Sequence, residues 1–184
     1  MIVFRALEAR AVRRPPLILI LVAITMIALG ETAGALMFPL RPAVERYALG
    51  RIAANPGAHG LTGSVEYDDE VRSRAVFAAE AGISFFHTHA EGLAPVILLA
   101  GTIVASVVPG GAVRGVLYAL LTAGALFPLG YVVYALAALE TGREAGVALA
   151  ERYVLTPLGS AAILALLALV LLLGRAARAR QPAR

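Results

Sequence analysis

Residues 83–113 read ISFFHTHAEGLAPVILLAGTIVASVVPGGAV. A helix that crosses the roughly 30 Å hydrocarbon core of a bilayer needs about 20 apolar residues, and the run from about Ile83 to Val108 supplies them. Pro109-Gly110-Gly111 is a tight-turn signal, and a second apolar run starts at once, from Val113 to Leu139. The two runs predict a helical hairpin in lipid. Moving outward from this hairpin adds two more runs. One is Leu17 to Phe38, entered through Pro15 and Pro16, whose missing N–H donors suit a helix start. The other is Tyr153 to about Leu173. The expected fold is all-α: an integral membrane four-helix bundle, one domain over residues 1–184, with helices about 17–38, 83–108, 113–139 and 153–173.

Composition points the same way. Of the 184 residues 60% are hydrophobic and 15% charged, where soluble domains carry about 25% charged residues. A mean hydropathy of +0.82 leaves too little polar surface to cover a particle of this size in water. The absence of cysteine removes disulfides, thiolate metal sites, cysteine nucleophiles and iron–sulfur clusters. There is no tryptophan, so an interfacial aromatic belt must come from the six Tyr and six Phe. No internal repeat, nucleic-acid motif or phosphate-binding glycine loop is present, and none of Ser64, Ser73, Ser84, Ser106 and Ser160 sits in a nucleophile-elbow pattern. The sequence therefore assigns no catalytic residue.

All 16 basic residues are arginine, and short basic flanks stay on the cytoplasmic side of a membrane. Arg5, Arg10, Arg13 and Arg14 precede the first run, Arg175, Arg178, Arg180 and Arg184 follow the last, and Arg114 lies just after the central turn. Both termini are expected in the cytoplasm of a multi-pass inner-membrane protein. At about 22 residues the first run exceeds the 7–15 of a cleaved signal's apolar region, so it is read as a retained helix. Pro39 to Glu80 is then one long outer loop, with a turn at Asn55-Pro56-Gly57 and an acidic cluster Glu66-Tyr67-Asp68-Asp69-Glu70. A helix should run from Glu70 across the interface into the second span. Gly30 and Gly34 form a small-xxx-small face that lets another helix approach closely.

Ionisable groups inside a span cost at least about 2.5–3.5 kcal/mol, which makes each a functional candidate. Counting outward from the cytoplasmic ends puts Glu31, His87, His89, Glu91, Tyr131, Tyr134, Glu151, Arg152 and Tyr153 in one outer layer. His87 and Glu91 are four apart and share a helix face, with Glu80 on the same stripe, while His89 points about 200° away. Imidazole and carboxylate are ligands for copper, zinc or iron, and imidazole is an axial ligand of haem b. The expected metal site is His87, His89, Glu91 and Glu31, with His59, Glu80, Tyr131, Tyr134 and Arg152 as further candidates. The same residues also suit an interfacial polar cap, and Glu31 with Arg152 a structural ion pair. Pro95, Pro128 and Pro157 are expected to kink their helices.

The stretch Phe86-His87-Thr88-His89-Ala90-Glu91-Gly92-Leu93 resembles the His-x-His openings of haem- and copper-containing bacterial membrane proteins of the NnrS type. It also resembles small four-span bacterial proteins in which His-Thr-His begins an inner helix. The resemblance implies a redox or metal-handling role. In the NnrS-type proteins histidines on other spans complete the site; here spans one, three and four carry none, so a bis-histidine haem needs separate sites, His59, or a second chain. Two other roles fit the polar layer: a proton-coupled transporter using Glu31, and an accessory or assembly subunit of a larger membrane complex, or a homo-oligomer, docking through Gly30 and Gly34.

Overall fold

The computed structural model describes residues 12–179. Helix α1 (Leu17–Ala54) is followed by α2 (Val65–Val107), α3 (Ala112–Ala125), α4 (Leu129–Thr141) and α5 (Arg143–Ala150). A π-helical turn, Glu151–Leu155, leads without a break into α6 (Thr156–Arg178). No strand occurs among the described residues. Helices α1, α2 and the rod Arg143–Arg178 are each long and apolar enough to cross a membrane, and α3 with α4, bent by 41°, are so only if the pair is counted as one broken span.

The stretch expected as a long outer loop is mostly helix. At 38 and 43 residues, α1 and α2 both outlast a bilayer, the latter reaching about 64 Å at 1.5 Å per residue. Only residues 55–64 connect them. Pro39, where the outer loop is expected to begin, lies inside α1, as does Pro42. Each removes an intrahelical hydrogen bond, but beyond them Ala48 and Ile52 bury against Ala75 and Ala79 of α2 and Ala135 and Leu139 of α4. That tertiary burial carries the helix past its breakers.

The other boundaries move for local reasons. Pro128 stands at the break between α3 and α4, as a proline kink requires. Gly142, with φ +85°, makes the sharp turn from α4 to α5, so the last rod starts at Arg143 rather than Tyr153. The π turn sits just ahead of Pro157, whose ring cannot donate to the carbonyl four residues back. Pro95 is taken up within α2.

Packing relies on small residues. Leu19, Ile97, Val104, Leu117, Leu121 and Leu169 form the largest core cluster, at the end of the bundle away from the α1–α2 connection. Ala23, Met26, Phe86, Ala90 and Ala94 form the middle one. At the crossing of α3 and α6 a Cβ on Gly124 would lie 2.9 Å from the Ala162 backbone nitrogen, so the two backbones are nearly in contact, the arrangement that favours helix association in lipid.

The turn into α2 is held by a side chain. The N–H groups of Thr62 and Gly63 donate to the Asp68 carboxylate at 2.8 and 3.0 Å, and Asp68 is only 5% exposed. These backbone donors, Thr62 first, outweigh the opposing effect of burial and hold its carboxyl below the usual range.

Two expectations follow from this packing. Because the folded-state pKa of Asp68 is depressed, its contribution is complete above the unfolded value of about 3.9 and is lost as pH falls through the lower folded value. Thermal unfolding in detergent should show the wild type losing stability in that acid window. Asp68→Asn should start lower at pH 7 and lack this component of the loss. Gly124→Leu forces α3 and α6 apart, and overpacking of this kind costs about 1–3 kcal/mol; a clearly lowered unfolding midpoint is expected, with Gly115→Leu, where a Cβ meets open space, as the neutral control.

Candidate functional site

His87 projects from α2 onto α1. At Gly30 and Gly34 the absence of side chains leaves a notch: a Cβ on Gly30 would meet the Ala90 Cβ at 2.6 Å, and one on Gly34 would overlap the His87 ring. The small-xxx-small face thus receives α2 of the same chain. His87 Nδ1 lies 3.0 Å from the Gly30 carbonyl oxygen and 2.8 Å from Glu91 Oε1. Both oxygens only accept at this contact, so Nδ1 carries the proton and donates. In the neutral ring Nε2 keeps its lone pair. The side chains of His87 and Glu91 are 26% and 35% exposed, so the pair is partly sheltered.

His89 turns the other way, as the helical spacing demands. Its Nδ1 donates to the Phe85 carbonyl of its own helix at 2.8 Å. Its ring lies 4.7 Å from Tyr131, 5.6 Å from Phe127 and 6.3 Å from Phe85, centroid to centroid. Tyr134 stands 6.5 Å beyond Tyr131. The break between α3 and α4 therefore supplies an aromatic wall for His89, while α1 supplies a glycine notch for His87.

The remaining candidates lie elsewhere. Glu31 is exposed on α1, and Arg152 lies over the Tyr153 ring, 5.5 Å from its centroid; the two do not pair. Glu80 faces Arg41 at 3.2 Å. His59 is buried in the α1–α2 connection, its Nε2 donating to the Leu139 carbonyl at 2.9 Å. That carbonyl belongs to the last turn of α4, which lacks helical donors, so His59 closes a helix end instead of folding over His87. Leu139 packs with Ala75 and Ala79, and His87 lies about 12 Å further along α2. The long hairpin holds His59 at its tip.

Sequence reading missed the partner of this contact. Arg51 forks onto Glu140, Nε to Oε1 at 2.6 Å and Nη2 to Oε2. The bidentate bond holds the Glu140 carboxyl below its usual range and raises Arg51 further. Lying 89 positions apart, the acid and the base of this pair carry no linear signal. The connecting loop also presses the Ala58 carbonyl against Gly142, where a side chain has no room.

Among the described residues no three His, Cys, Asp or Glu side chains converge to hold a metal ion. The site's chemistry is that of single imidazoles, each with Nδ1 tied down. No family model, curated protein or solved structure matches the chain.

Histidine tautomers test this geometry directly. In ¹⁵N-histidine spectra recorded above the imidazole titration range, about pH 8.5, two rings should appear as the Nδ1–H form and one, His59, as the Nε2–H form. Gly34→Val, which evicts the His87 ring, should convert one of the Nδ1–H rings to the averaged pattern of a free imidazole.

Proposed function

We propose that the chain is a multi-pass inner-membrane protein with both termini in the cytoplasm, and that it binds haem b near its outer face through the His87 imidazole. One observation carries the ligand reading: Glu91 and the Gly30 carbonyl both hold His87 Nδ1, so Nε2, which rests against Gly34, is the donor left to a metal that displaces this contact. A carboxylate or carbonyl on the far nitrogen is the usual support of a metal-bound imidazole, fixing tautomer and ring orientation. A bare copper, zinc or iron ion asks for several protein donors at one point. Haem brings its own ring nitrogens and asks the protein only for axial ligands, which is what a chain with one imidazole per face can give. A redox role follows from that cofactor class.

The arrangement favours this over the other roles. A proton-coupled transporter built on Glu31 needs it to meet Arg152 or His89, and those contacts do not form among the described residues. An assembly subunit docking through Gly30 and Gly34 would have to displace α2. The orientation rests on the arginines at both ends of the chain.

Purified protein in detergent, supplied with haem, should develop a Soret band that is lost in His87→Ala and kept in His89→Ala. Glu91→Gln should weaken haem affinity by about 10–100-fold. Unchanged uptake by His87→Ala, or no uptake by the wild type, overturns the reading. Because the chain has no cysteine, single introduced thiols report sidedness cleanly: Ser73→Cys should react with an impermeant maleimide from outside intact cells, and Ala177→Cys only after the membrane is opened.

A further inference from the structure

Outward of Gly34, α1 and α2 part to leave a groove of about 820 Å³, within the size range of small-molecule sites. Its walls include Leu36, Met37 and Phe38 from α1 and Phe77, Ile83 and Phe85 from α2. At its outer end stand Arg41 and Glu80, and these two with Phe77 also line a second groove of about 410 Å³, shared with Glu45, Asp69, Arg72 and Ser73. The two form one trough, apolar toward the bundle's middle and charged toward its outer tip. Phe38 is 86% and Phe77 69% exposed. Phe77 lies outward of Glu80, so the apolar wall continues past the first charged pair, to a level that lipid tails do not cover on the proposed topology. An apolar wall ending in charge is complementary to an amphiphile.

The charged end selects the head. Arg41 uses only Nε for Glu80 and its side chain is 64% exposed, leaving both η-amino groups free for an anion. Arg72 is bonded to Asp69 at 2.9 Å. Glu45, one helical turn after Arg41 and on the same face, has no ion-pair partner among the described residues. Pro39 and Pro42 deprive the Ala35 and Phe38 carbonyls of their helical donors, which adds acceptors beside the groove. A free guanidinium edge next to a free carboxylate matches a phosphate next to an ammonium. We infer that the trough binds one phospholipid with an ethanolamine-type zwitterionic head, its chain along Phe38, Phe77 and Phe85, its phosphate on Arg41 and its ammonium on Glu45. A purely anionic head would meet three carboxylates against two guanidinium groups and is disfavoured. This inference stands apart from haem binding.

Native mass spectrometry of the full chain released from nanodiscs tests it, using equal phosphatidylethanolamine, phosphatidylcholine and phosphatidylglycerol. One phosphatidylethanolamine should remain bound, at least about tenfold over phosphatidylglycerol, the size of one charge-assisted contact. Phosphatidylcholine, whose quaternary head cannot donate to Glu45, should fall between. Ala81→Trp, which fills the groove, should lose the lipid, while Leu167→Trp on the exposed face of α6 should keep it. Glu45→Arg, a surface change that leaves packing intact, should shift retention to phosphatidylglycerol whether or not Ala81→Trp folds. Equal retention of the three lipids, or the same preference after Glu45→Arg, shows annular lipid only and overturns the proposal. A Soret band unchanged in the Glu45 variant keeps the two readings distinguishable.

Discussion

The contact between α1 and α2 at Gly30 and Gly34 sets the rest of the molecule. Both helices are long and apolar enough to cross a membrane, and in a bilayer, whose tails are as apolar as leucine, helices associate through close packing more than by hiding apolar side chains. Ala90 fills the notch at Gly30 and the His87 ring fills the one at Gly34. The same register continues along both helices, with Leu19 on Gly101 toward one end and Arg41 with Glu80 toward the other. Each step forward on α1 is matched by an equal step back on α2. A side chain at either glycine would therefore disturb the alignment of two helices of 38 and 43 residues, and with it every contact that depends on their register.

This contact also makes a polar group tolerable between two apolar helices. An imidazole whose N–H is left unpaired in an apolar setting costs much of a hydrogen bond. The notch brings the Gly30 carbonyl within 3.0 Å of Nδ1, and the helical repeat brings Glu91 within 2.8 Å. His89 reaches the same end by a shorter route, bonding back to Phe85 on its own helix. Both rings thus satisfy the inward nitrogen and retain the other. Two imidazoles fixed on opposite faces of one helix cannot act on a common ion, so the geometry separates their roles even though a single residue, Thr88, lies between them in sequence.

How much of this was legible depended on the range of the interaction. Helix content and the four apolar stretches follow from composition and run length, and the opposed directions of His87 and His89 follow from the helical repeat. The glycine notch was visible as a spacing, though not its occupant. What failed was the expectation of a loop beginning at Pro39, because burial of Ala48 and Ile52 against α2 and α4 involves residues far away in the chain. The contact of His59 was hidden for a related cause: a loop histidine reads as a free ligand until the fold supplies Leu139 as its acceptor. Arg51 and Glu140 gave no signal at all, since neither has a local partner to mark it.

The contacts at the tip of the α1–α2 hairpin explain why the hairpin is so long. A two-helix projection standing alone would bury little, and the described contacts show it does not stand alone. Arg51 grips Glu140, His59 closes the Leu139 carbonyl, and Ala58 abuts Gly142. All three act on the end of α4, the helix whose Tyr131 faces His89. Tying the α1–α2 connection to that end holds α4 against α2 from outside, while Gly82 of α2 meets Tyr131 and Ala135 from within. The aromatic wall on one side of α2 and the glycine notch on the other are thereby fixed relative to each other by a clamp made of charge and hydrogen bonds.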